Sequence, residues 1–167
     1  MKSLYSILLR LCLLSAVFAC GSSKSDDSAS GTTEDLSDTS LDSIKAFIAK
    51  ASFKTWTAEK SVHTSAGPHA MVKVYFNPTI LTSLRNKSTT HPKGSILVKE
   101  LYENDGTTLR GYALSVKTAE GTDANNWVWY EGILPSYANP SYGRGRPFCA
   151  DCHVSGTDYV LSTVDRI

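Results

Sequence analysis

Ser95 to Glu103 reads SILVKELYE. Side chains alternate faces along a strand, so Leu97, Lys99 and Leu101 share one face and Ile96, Val98, Glu100 and Tyr102 the other. The run is rich in strand formers and is followed by the turn signal Asn104-Asp105-Gly106, which predicts a strand entering a hairpin. Leu109 to Thr118 and Asn126 to Ile133 read as further strands, the second carrying Trp127, Trp129 and Tyr130. Met71 to Phe76 is another. Two helices are expected. One starts after Thr39 or Ser40, with Leu41, Ile44, Phe47, Ile48 and Ala51 at helical spacing. The other is capped by Asn77 with Pro78 in its first turn, and turns Ile80, Leu81 and Leu84 inward. Pro135 to Pro147 reads as a loop rich in Pro, Gly and Tyr. The expected fold is therefore mainly β, of the α+β kind: an antiparallel sheet with a few short helices. Lys99 is the odd residue. A lysine between two leucines either snorkels at a sheet edge or points its amine into a cavity.

The chain has 167 residues, 41% of them hydrophobic, enough for one domain with an apolar core. Its formal charge of +1 gives no reason to expect a nucleic-acid partner. Residues 1–19 read as a signal peptide. Lys2 precedes a short apolar run, and Val17 and Ala19 lead into Cys20, a lipobox-like pattern in which Cys20 becomes lipidated. Lipid chains would tie the protein to a membrane surface without spanning it. The expected site is the periplasm, with Gly21 after the cysteine favouring the outer membrane. Cleavage takes away Lys2 and Arg10 and moves the formal charge from +1 to −1. Residues 20–38, rich in Ser, Gly, Thr and Asp, read as the lipidated cysteine with a flexible tether, and residues 39–167 as the domain.

Near the C-terminal end stands Cys149-Ala150-Asp151-Cys152-His153, the C-x-x-C-H signature of c-type haem attachment. Residues three apart share one side of a helical turn, so both sulfurs can reach two vinyl groups on one haem edge. His153 then falls under the iron as an axial ligand. Two other readings use the same cysteines. A redox disulfide would call for a βαβ setting, which the strand pattern lacks. A zinc site would call for about two more ligands at suitable spacing. Combined with export, one covalent haem c is the expected cofactor. The sixth iron position is open to His63, His69, His91 or Met71, or to none of them.

The ordered set GSILVKEL (94–101), Gly111 to Lys117, Asn126-Trp127-Val128-Trp129, CADCH and Gly156-Thr157-Asp158 closely resembles the cytochrome P-460 family. The resemblance runs from about Val72 to the C-terminus. It implies a largely antiparallel β-fold around one haem, often in a homodimer. In hydroxylamine-oxidising members a lysine is crosslinked to the macrocycle, and Lys99 matches it by its place in VKEL. Relatives of the cytochrome c′-beta type share the fold, lack the crosslink and bind nitric oxide or carbon monoxide.

The resemblance therefore implies a protein that binds and oxidises hydroxylamine or nitric oxide and passes electrons to a partner cytochrome. Cys149, Cys152, His153 and Lys99 would hold or modify the haem. Ala113 falls where active members carry a distal carboxylate, so the nearest base is missing. His69 is the weak substitute. This departure favours a non-enzymatic gas-binding protein as the alternative, and a tethered electron carrier is a third. Arg144 and Arg146 are candidates for pairing with haem propionates. Trp127 and Trp129 read as core, and Asp158 as a local hydrogen-bonding residue.

Overall fold

A computed structural model describes residues 36–167. The signal segment, Cys20 and most of the tether lie outside them. Among the described residues no helix is long and apolar enough to cross a membrane.

The first helix, α1, runs Leu41–Lys50 and is capped by Ser40, whose side chain accepts from Ser43 N. It stops at Ala51, which turns left-handed and returns its N–H to the Phe47 and Ile48 carbonyls. A single turn of 3-10 helix, Ser52–Thr55, carries the chain to the sheet. Two short strands, β1 (Thr57–Ala58) and β2 (His63–Thr64), both pair antiparallel with β3 (Met71–Phe76). Helix α2 (Pro78–Arg85) follows, and Asn77 does more than cap it. Its Oδ1 accepts from Ile80 N and Ile96 N, while Nδ2 donates to the Gly94 carbonyl, tying α2 to the start of β4 (Ile96–Tyr102). Strands β5 (Leu109–Lys117) and β6 (Trp127–Ile133) complete the meander.

One expectation needs correction. Residues 135–147 are not all loop, because Ser141–Arg144 forms β7, which pairs with β6. The stretch SYGR lacks apolar alternation, so only the ladder along β6 reveals it. The sheet order is β1-β3-β4-β5-β6-β7, all antiparallel, with β2 also on β3. A last α-helix, α3 (Pro147–His153), begins on Pro147.

The alternation expected for SILVKELYE holds across the whole sheet. One face carries Tyr75, Ile96, Val98, Tyr112, Leu114, Val116, Val128 and Tyr130, covered by Ile44, Phe47 and Ile48 of α1 and by Phe53. That face is a closed apolar core. Within it the buried Glu100 accepts from Tyr75 and Tyr102 hydroxyls at 2.9 and 2.8 Å and meets Lys54 Nζ at 2.9 Å. The opposite face carries Val74, Phe76, Leu97, Trp127 and Trp129, covered in part by Ile80 and Leu81 of α2. The register lays Val74, Lys99, Ala113, Glu131 and Ser141 side by side across five strands of that face. This row borders the space described next.

Candidate haem site

A cavity of about 500 Å3 opens on the second face. Its sheet side is lined by Val72, Val74, Leu97, Lys99, Ala113, Trp129 and Glu131. The loop between β2 and β3 adds His69, α3 adds Phe148, Cys149, Cys152 and His153, and the C-terminal segment adds Leu161 and Arg166.

Helix α3 brings its three chemical groups to this space together. Both cysteines are free thiols. Burial pushes the Cys149 thiol up, partly offset by a hydrogen bond with Ser141. His153 packs on Trp129, with ring centroids 4.7 Å apart. Its Nδ1 lies 2.9 Å from the Tyr159 carbonyl. That carbonyl can only accept, so Nδ1 is the protonated nitrogen and Nε2 keeps its lone pair. Burial, with the nearby charge of Lys99, pushes the imidazole down to about 4, so it is neutral near pH 7. A neutral imidazole with one nitrogen held by a backbone carbonyl is the form that ligates a metal.

Lys99 points into the cavity and has no hydrogen-bond or ion-pair partner among the described residues. Burial holds its amine below the ordinary lysine range, while Glu59, Glu131 and Cys149 oppose that shift. His69 lies near both Lys99 and His153, and its burial, together with the positive charges of Lys99 and Arg110, pushes it down to about 4. Its Nδ1 stands 3.6 Å from Glu131 Oε2. Because the imidazole is uncharged near neutral pH, this contact is not an ion pair. Burial pushes the Glu131 carboxyl up, against the pull of Arg110 and Lys99.

The sequence reading singled out neither Glu131 nor Glu59. Glu131 follows Trp127 and Trp129 on the same strand face, an acid on an apolar face, the same signal that marked Lys99. Glu59 carries no such signal. It is buried and accepts from Val74 N at 2.8 Å and meets His63 Nε2 at 2.9 Å.

Other candidates lie elsewhere. Arg144 does not line the cavity; its guanidinium bonds Thr118 Oγ1 at 2.5 Å and the Asn125 carbonyl at 3.0 Å, because β7 turns it toward the 118–126 loop. Arg146 bonds Ser141 Oγ at 3.2 Å and is also outside the lining, where Arg166 takes part instead. Met71 is not in the lining, and its sulfur meets Thr64 Oγ1 at 3.4 Å. His91 is buried behind Trp127 and meets Ser83 Oγ at 2.9 Å. Trp129, read as core, is also a wall of the cavity.

A family model for cytochrome P460 matches residues 50–162, more than half of the chain. The chain belongs to the cytochrome P460 family. No curated protein matches it. Membership in the cytochrome P460 family makes it a haem protein. Its cavity fits that cofactor. Two buried polar atoms lining it, His69 Nδ1 and Trp129 Nε1, have no hydrogen-bond partner among the described residues. Buried polar atoms of this kind call for a partner, which a group bound in the cavity would supply. The exposed ring of Phe148 (64%) and the side chain of Leu161 (40%) rim the same opening, where an apolar macrocycle would cover them.

Proposed function

We propose that this cytochrome P460 carries one haem c and binds and oxidises small nitrogen compounds, hydroxylamine or nitric oxide, passing electrons to a partner cytochrome. The observation that supports it best is the meeting of Cys149, Cys152 and His153 with Lys99, His69 and Glu131 around one cavity. Bound there, a haem supplies an iron that takes up small nitrogen ligands and accepts their electrons.

The chain's own residues do the rest. Cys149 and Cys152 anchor the macrocycle by thioethers, and His153 offers Nε2 to the iron. Lys99, whose amine has no other partner among the described residues, is the group that modifies the macrocycle. Hydroxylamine loses protons as it loses electrons, so its oxidation calls for a base at the site. Ala113 supplies none. The uncharged His69 is able to take a proton, and Glu131 lies 3.6 Å behind it. Glu131 is also the cross-strand neighbour of Ala113 in the row, so the missing acid is offset from the adjacent strand. Val72, Val74, Leu97 and Trp129 give the sheet side of the cavity an apolar portion. Cys20 is the lipid anchor that holds the protein at the periplasmic side of a membrane, expected to be the outer one.

Purified holoprotein is expected to reduce an added acceptor in the presence of hydroxylamine, and no hydroxylamine-dependent reduction would eliminate the enzymatic reading. A strongly red-shifted ferrous Soret band that disappears in Lys99→Ala is the signature of the crosslink. A second reading, a gas-binding protein without turnover, is favoured by Ala113 and the apolar wall. It predicts an ordinary five-coordinate spectrum and tight nitric oxide binding. A six-coordinate low-spin spectrum would instead indicate an electron carrier.

A further inference from the structure

The chemistry above leaves one buried charged pair unused. Lys117 ends β5, and Asp158 lies 41 residues further on; both side chains are fully shielded from solvent. Asp158 was expected to bond locally, yet all its partners are distant. Its Oδ2 accepts from Lys117 Nζ and from His91 N at 2.8 Å, and its Oδ1 lies 3.4 Å from Trp127 Nε1. Lys117 Nζ also donates to the Gly121 carbonyl at 2.5 Å. An ion pair buried so deeply is a weak source of stability, because desolvating both charges offsets their attraction. Where the pair sits is more informative.

Residues 157–160 close a tight turn, with Val160 N donating to the Thr157 carbonyl at 2.9 Å. Its two central residues, Asp158 and Tyr159, have φ of 46° and 65°. Positive φ at both central positions is the pattern of a type I′ turn, and neither residue is glycine. Such backbone persists where the surroundings over-determine it. Asp158 reaches from this turn to Lys117. The carbonyl of the next residue, Tyr159, is the one that accepts His153 Nδ1–H. Gly156 presses the turn from the other side, since a Cβ there would stand 2.4 Å from the Val160 carbonyl oxygen.

We propose that the Lys117–Asp158 pair is a positioning device for His153. It anchors the 157–160 turn to the end of β5 and so fixes the carbonyl that takes the Nδ1 proton. The proposal rests on the reading of His153 as the axial ligand. A histidine held in this way keeps one tautomer and one ring orientation, and its other nitrogen is the stronger donor to a metal. Loosening the turn weakens the Nδ1–H bond and with it the donor strength of Nε2.

The test uses holoprotein matured in an export-competent host. It reads the iron–histidine stretching band of the ferrous form and the midpoint potential. Lys117→Met keeps the stem and removes the charge; Asp158→Asn keeps the shape and an acceptor oxygen. Both are expected to move the band to lower frequency and raise the potential with the haem still attached. Ser83→Ala removes the hydroxyl that His91 Nδ1 meets in the same region but leaves the contacts of Asp158 in place, and is expected to move neither. Should Lys117→Met fail to accumulate, Asp158→Asn alone decides. Folded variants with the wild-type band and potential would overturn the proposal, as would an equal shift in Ser83→Ala. A wild-type protein that is five-coordinate in the ferrous form and still lacks an iron–histidine band fails the underlying ligand reading, and does so before any variant is made.

Discussion

Lys99 and Glu131 lie on the same face of the sheet, two strands apart in one row, and both are charged side chains on an apolar wall. The physics that marks one marks the other. A charge on a buried face is costly unless it is paired or used. Lys99 stood out in the sequence because leucines flank it at i−2 and i+2. Glu131 was open to the same reasoning, being two residues beyond Trp129. His69 and Glu59 were not, since loops and short strands with no clear period bring them in. At this scale the test is Glu131→Gln. It is expected to lower hydroxylamine-dependent acceptor reduction by about 10²-fold, the usual contribution of a positioned acid–base group. The haem spectrum should stay unchanged, and steady-state rates beside an absorption spectrum check both halves.

Among the elements, the long strands and both main helices were legible because their apolar periods are clean and their caps are standard. Strands β1, β2 and β7 were not, because two to four residues hold too little period to read. Two links between elements carry predictions. Asn77 joins α2 to β4 through three hydrogen bonds. Asn77→Ala removes a cap and leaves buried partners unsatisfied, so a loss of about 3 kcal/mol is expected in urea unfolding. Glu100 joins the Lys54 turn to β3 and β4. Burial alone would push its carboxyl up, but hydrogen bonds from Lys54, Tyr102 and Tyr75 together hold it below the ordinary range. A carboxyl depressed by folding stabilises fully above its unfolded value, about 4.3, and that contribution is lost as pH falls through the folded value. The melting temperature is therefore expected to fall as pH drops below about 4, and less steeply in Glu100→Gln.

For the whole molecule, the sheet separates stability from chemistry. The face under α1 carries its own apolar core, built by α1, Phe53 and the strands above it. Phe53→Ala, at the centre of that core, is expected to cost about 3–5 kcal/mol while leaving attached haem in place. The double variant Cys149→Ala with Cys152→Ala is expected to do the reverse. Its far-UV circular dichroism should remain native-like, while its haem becomes extractable by acid and solvent. A matched loss of fold in both variants would contradict this division of labour.

The row of Val74, Lys99, Ala113, Glu131 and Ser141 crosses five strands like keys on one manual. Adjacent keys differ by one strand spacing, roughly 5 Å, which is within the swing of a glutamate side chain. An acid can therefore migrate sideways through substitution without leaving the chamber it serves. Exchanging the pair, Ala113→Glu with Glu131→Ala, is expected to preserve turnover that Glu131→Ala alone loses, so that under the proposed function the acid beside the cavity can be supplied from either of two adjacent strands.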